Sequence, residues 1–145
     1  MISQLRFAAL ALAALFIVAQ PAFAADDAAG TWLTQAGDAK VKVAKCGGGL
    51  CGTVVWLKQP TDTDTGKPAV DNKNPNRELA NRPIIGLQLF ESMHADGPNR
   101  WSGRIYNADD GQSYDSHISV LGPDALKVEG CVGSLCGGET WTRAK

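Results

Sequence analysis

The sequence predicts an all-β fold, a small eight-stranded antiparallel up-and-down β-barrel with one long loop between its third and fourth strands. Three observations carry that reading. Short segments alternate apolar and polar residues with a period of two; turn-forming Gly, Pro, Asn and Asp recur between them; and no helical periodicity follows the first 24 residues. Regular turn spacing with alternation points to a sandwich or barrel, and closure into a barrel removes exposed strand edges.

The first strand is read over Gly30 to Gln35, with a tight turn at Gly37-Asp38. Ala39 to Lys45 alternates, so Val41 and Val43 face the core while Lys40 and Lys42 face water. Gly47 to Leu50 is a glycine-rich connection, and Gly52 to Leu57 is the returning strand. Ile84 to Phe90 is the fourth apolar stretch of strand length, followed by a polar turn around Asp96-Gly97-Pro98. Trp101, Gly103 and Ile105 share one face of a fifth strand, opposite Arg104. Asp109-Asp110-Gly111 is a hairpin signal. Tyr114, Ser116, Ile118 and Val120 share one face of the sixth strand, which leaves Asp115 and His117 facing solvent. Leu126 and Val128 alternate with Lys127 and Glu129 in the seventh strand, and Gly137 to Arg143 is the eighth.

In a meander of this kind, successive connections alternate between the two ends of the barrel. The long stretch 58–86, the Asp110-Gly111 turn and the Cys131 to Cys136 turn therefore share one end, and the Cys46 to Cys51 turn lies at the other. The two cysteine segments share the pattern Cys-x4-Cys-Gly-x3-Trp, which composition alone allows to pair in three ways. Bridged Cα atoms approach within about 7 Å. Strand parity thus predicts Cys46 with Cys51 and Cys131 with Cys136, and it separates the cysteines that a four-thiolate zinc site would need to bring together.

Disulfides imply an oxidising compartment, and the start of the chain agrees. Arg6 precedes a thirteen-residue apolar run, Phe7 to Ala19, and an Ala22-Phe23-Ala24 site. Those features read as a secretory signal peptide over 1–24, cleaved before a single β-barrel domain at 25–145, periplasmic or secreted and without a membrane span after cleavage. Loss of Arg6 moves the formal charge from −1 to −2, thirteen basic residues against fifteen acidic. That balance offers no basic field for nucleic acid.

Functional candidates concentrate in the long stretch, whose length without a regular element is uncommon in a small domain. Asp71, Asn74 and Arg82 could hold a small polar or anionic ligand, Arg82 offering a planar fork to a carboxylate or phosphate. The competing structural reading has Asp71 and Asn74 capping turns and Arg82 paired with Asp71 to pin the loop across the barrel mouth. Tyr106 and Tyr114 flank the neighbouring hairpin, either as ligand contacts on the rim or as a cross-strand aromatic pair fixing register. Trp32, Trp56, Trp101 and Trp141 either line a pocket or fill the core. His94 and His117 have no sequence-near partner, no nucleophile elbow or phosphate loop is present, and Asp62 and Asp64 with Asp71 do not match a calcium loop. No cofactor or metal is implied.

Gly30-Thr31-Trp32 near the start and Arg143 at the end resemble the arrangement of lipocalin-type barrels, in which an early Trp packs beneath an Arg from the last strand. More of the chain resembles a bacterial family, domain of unknown function 2147. The motifs are Gly52-x-x-x-Trp56-Leu57-Lys58, Asp71-x-x-Asn74-Pro75, Asn81-Arg82-Pro83-x-x-Gly86, Gly103-x-Ile105-Tyr106, Asp110-Gly111-x-x-Tyr114, Leu126-Lys127-Val128-x-Gly130 and Trp141-Thr142-Arg143. The resemblance implies a small exported protein with a lipocalin-like or related barrel, and it carries over no catalytic residue. The function expected is a non-enzymatic binding module that uses loop 58–86 at one mouth. The alternatives are an envelope protein with a filled barrel that meets a protein partner, and a hydrolase working through loop carboxylates.

Overall fold

The computed structural model describes residues 28–145 together with Ile17. The signal-peptide segment 1–24 therefore lies, apart from Ile17, outside the described residues. Eight antiparallel strands follow one another around a closed barrel: β1 Gly30–Leu33, β2 Ala39–Cys46, β3 Gly49–Leu57, β4 Gln88–Gly97, β5 Arg100–Asn107, β6 Gln112–Gly122, β7 Ala125–Val132 and β8 Leu135–Arg143. Each strand pairs with its neighbours in sequence, and β8 closes on β1 at Trp32–Arg143 and Leu33–Thr142.

Alternation decides what faces inward. Val41 and Val43 of β2, Ile118 and Val120 of β6, and Leu126 and Val128 of β7 are all buried, as their period-two pattern requires. Gly52 of β3 is where the ring of Phe90 crosses, and a Cβ there would strike it.

Both disulfides are local, Cys46–Cys51 with Cα atoms 5.8 Å apart and Cys131–Cys136 with Cα atoms 4.0 Å apart. Cys131 and Cys136 are direct cross-strand partners of β7 and β8.

The fourth strand departs from the sequence reading. Ile84 to Leu87 are not strand: Ile84 donates its amide to Ala69 O and Gly86 donates to Val54 O, so this run is the returning end of the loop. The strand begins at Gln88 and runs on through Gly97, with the turn at Pro98-Asn99. A bulge interrupts it, with Ser92 at φ 53, which disrupts the period that would reveal it.

β4 also pairs incompletely with β5. The ladder holds at His94–Ser102, Ala95–Trp101 and Gly97–Arg100 and stops there. Toward the end that carries the long loop, β4 and β5 no longer bridge, although β5 remains fully laddered to β6 as far as Asn107–Gln112.

The two ends of the barrel differ. At one, Trp32 is fully buried, its Nε1 donates to Ala28 O at 2.9 Å, and the Arg143 guanidinium lies 4.3 Å over its ring. Arg143 also donates to Ala29 O at 3.0 Å and to Pro123 O at 2.7 Å. Leu50, Met93, Trp101, Ile118 and Leu126 fill the interior alongside. The other end is hollow.

Candidate functional site

The hollow end is a cavity of about 1180 Å³. Its walls are apolar, with Val41, Val54, Leu89, Ile105, Val128 and Trp141 facing in, and its rim carries Asp38, Lys58, Asp109 and Glu139. Three of the four tryptophans, Trp32, Trp101 and Trp141, belong to the core, and Trp141 also floors the cavity. Trp56 instead sits on the outside, 39% exposed, with Lys40 Nζ 5.2 Å from its ring.

The long loop is ordered by its own polar side chains. Asp62 Oδ1 accepts from the amides of Asp64 and Thr65 at 2.9 and 2.8 Å, and Asn74 and Asn76 cap the next turns in the same way. The amide of Thr65 chiefly holds the Asp62 carboxyl below its usual pKa. An isolated bridge joins Val70 to Pro83.

Asp71 is the hub. Its carboxylate is fully buried and accepts from Tyr106 Oη at 2.7 Å, Arg82 Nε at 2.8 Å and Asn74 Nδ2 at 2.9 Å. Burial pushes this carboxyl up. The hydrogen bonds from Asn74, Tyr106 and Arg82, with the Arg82 charge, outweigh that push, so its pKa lies below the ordinary carboxylate value. Arg82 also lies 5.2 Å over the Tyr106 ring. Four of the five candidate residues, Asp71, Asn74, Arg82 and Tyr106, thus meet in one network.

Tyr114 does not join them. Tyr106 faces Ser113 across the β5–β6 ladder and Tyr114 faces Ile105, so the two rings occupy opposite faces and form no cross-strand aromatic pair. Tyr114 lines the cavity, and its hydroxyl donates to Asp110 Oδ2 at 2.6 Å, which raises its pKa. The hairpin and loop do touch as parity requires, because a Cβ on Gly111 would run into Lys73 O.

Sequence reasoning missed a polar cluster on the outer face of β5 and β6. Ser102 Oγ donates to Asp96 Oδ2 and so takes its other contact, with His117 Nδ1 at 2.8 Å, as an acceptor. Asp96 Oδ2 also lies 3.9 Å from His117 Nδ1, so the three side chains form one cluster. His117 also lies near Cys131 and Cys136, all three offering atoms within 4.8 Å of one another. The two sulfurs are joined to each other, which removes the thiolates a metal would need.

The family described as "Uncharacterized protein conserved in bacteria (DUF2147)" matches residues 30–143. The chain belongs to that family. Among solved structures it is similar to protein HP1028 from the human pathogen Helicobacter pylori, described as belonging to the lipocalin family. The TM-score is 0.67 at 22% identity, over 81% of this chain and 82% of that one. That likeness shows the fold of this DUF2147 member, a lipocalin-like barrel. No protein with a curated description matches the chain.

Proposed function

We propose that this DUF2147 protein is an exported, non-enzymatic binding module that holds a small ligand in the hollow end of its barrel, beneath the long loop. The carrying observation is the cavity of about 1180 Å³ with apolar walls and a polar rim, the combination that small-molecule sites share. The lipocalin-like fold supports it, since an eight-stranded barrel is wide enough for one small ligand. Two disulfides and the basic-then-apolar start of the chain support export to an oxidising compartment.

Native mass spectrometry of the protein isolated from a producing bacterium tests this reading. An extra mass that leaves on denaturation is expected, and Val54→Phe, which narrows the cavity, should lower its occupancy at least tenfold while the folded spectrum is kept. Full occupancy in a folded Val54→Phe protein would place the ligand elsewhere.

One observation favours a protein partner as the second reading. Val132 and Leu135, at the tip of the β7–β8 hairpin on the rim, are 70% and 79% exposed. A co-purifying polypeptide in place of a small molecule, lost in Val132→Ser with Leu135→Ser, would select that reading.

A further inference from the structure

Beside the incomplete β4–β5 ladder lies a second hollow, a cleft of about 1200 Å³ on the side of the barrel. Residues of β4 and β5 and of the Asp110–Ser113 hairpin wall it, and Lys73, Asn74, Leu79 and Arg82 of the long loop line it as well. The cleft and the cavity at the mouth share Leu89, Ile105 and Tyr106 among their lining residues. A single layer of side chains therefore separates an apolar interior from a polar, sideways exit.

What the cleft offers a ligand is a prepared hydrogen-bonding fork. Arg82 Nε is held by the buried Asp71 carboxylate and the guanidinium is stacked on Tyr106, so the group is fixed in place. Among the described residues its side chain is engaged by Asp71 and Tyr106 alone, and it is 34% exposed. A guanidinium held this way loses little freedom on meeting a carboxylate or phosphate. Lys73 lines the same cleft, and Arg104 is tied to the exposed Asp115 and to Ser113 O, at 3.1 Å each. Glu91 and Asp110 also line the cleft, so the attraction is directional rather than a broad positive field. The mouth is the poorer exit for an anion, because Asp38, Asp109 and Glu139 stand there against Lys58.

We propose that the β4–β5 cleft seats the anionic head of an amphipathic ligand whose apolar chain runs between Leu89 and Ile105 into the barrel. This rests on the binding reading above and names its ligand class: a chain-bearing carboxylate or phosphate ester. The chain enters through the wall of the barrel rather than from its open end. Arg82 supplies the fork, Lys73 the second charge, and the Tyr106 ring the partition between head and chain.

The test compares one chain length with four heads on the delipidated protein: dodecanoate, dodecyl phosphate, dodecanol and dodecyltrimethylammonium, titrated by calorimetry. The two anions should bind about tenfold more tightly than the alcohol, the scale of one charge-assisted hydrogen bond, and the cation more weakly than the alcohol. Their ratio tells which head the fork prefers. Lys73→Gln and Arg82→Lys should each reduce the anion preference and leave dodecanol affinity unchanged. Lys73 lies outside the Asp71 network, which keeps the test alive if Arg82→Lys loosens the loop. A nitroxide placed next to the head should broaden amide resonances of Lys73 and residues 103–106. Equal affinity for all four heads, or broadening at Asp38 and Val132 instead, would overturn the cleft assignment while leaving the cavity reading intact. Failure of every chain to bind would overturn the proposed ligand class, and the native mass of the isolated protein would still decide the cavity reading.

Discussion

A buried carboxylate with three side-chain donors is costly to disturb. Asp71→Ala would strand the Tyr106 hydroxyl and the Arg82 guanidinium and should cost about 2 kcal/mol, read as a lowered urea midpoint at constant slope. The same residue predicts the acid side of the stability profile. Its folded pKa lies below its unfolded one, so its contribution is complete above the ordinary carboxylate value, 3.8, and is lost as pH falls through the lower, folded value. The urea midpoint should therefore drop as pH falls below the ordinary carboxylate value, 3.8, and drop less in Asp71→Asn. The alkaline side belongs to the two tyrosines, both raised: Tyr106 by burial first and then by Asp71, Tyr114 by its bond to Asp110. Raised values stabilise the fold below the ordinary tyrosine pKa, and that contribution is lost as pH rises through the folded one. Absorbance titration should place both phenols above 10, the ordinary value, and Asp110→Ala should return one of them toward it. The residue types of the Asp71 network were legible in the sequence. So was the Arg82–Asp71 pair, which the structural reading of the loop contained; the Tyr106 contact was not, because Tyr106 is 35 positions from Asp71 and only the folded loop brings them together.

The elements that read cleanly were those with an unbroken period of two. β2, β5, β6 and β7 kept their faces, and the disulfides followed from counting connections. β4 did not read, because Ile84 and Ile85 look like strand but belong to the loop, while the true strand is polar and bulged. Its unbridged half was invisible for a deeper reason: a missing ladder leaves no mark on either strand's own pattern. The loop–hairpin contact makes Gly111 sensitive. With φ at 74° and Lys73 O against the Cβ position, Gly111→Ala should cost more than about 1 kcal/mol and loosen the loop, seen as lost amide protection in residues 70–74. Reducing either disulfide opens a short loop worth about 2 kcal/mol on the chain-entropy account. Paired Cys→Ser variants should melt lower yet retain the barrel's circular dichroism.

At the scale of the whole molecule the barrel is divided between a packed half and a hollow half, and only the packed half was implied by the residue pattern. Inward valines and leucines look the same whether they meet each other or border empty space, so volume had to come from the closed sheet. The packed half should be the stable one: Arg143→Ala, which removes the cover over Trp32 and its bonds to Ala29 and Pro123, should cost about 2 kcal/mol. That closure also has a consequence in time. Every other neighbouring pair of strands is consecutive in the chain, whereas the seam of β1 with β8 joins groups 114 positions apart, as in Arg143 to Ala29. A meander can zip hairpin by hairpin, but the ring becomes a ring only when its first strand finds its last, the contact with the largest loop to close. Arg143 is then a latch on the longest-range closure in the sheet, and the order in which the strands emerge during synthesis leaves that latch until the end.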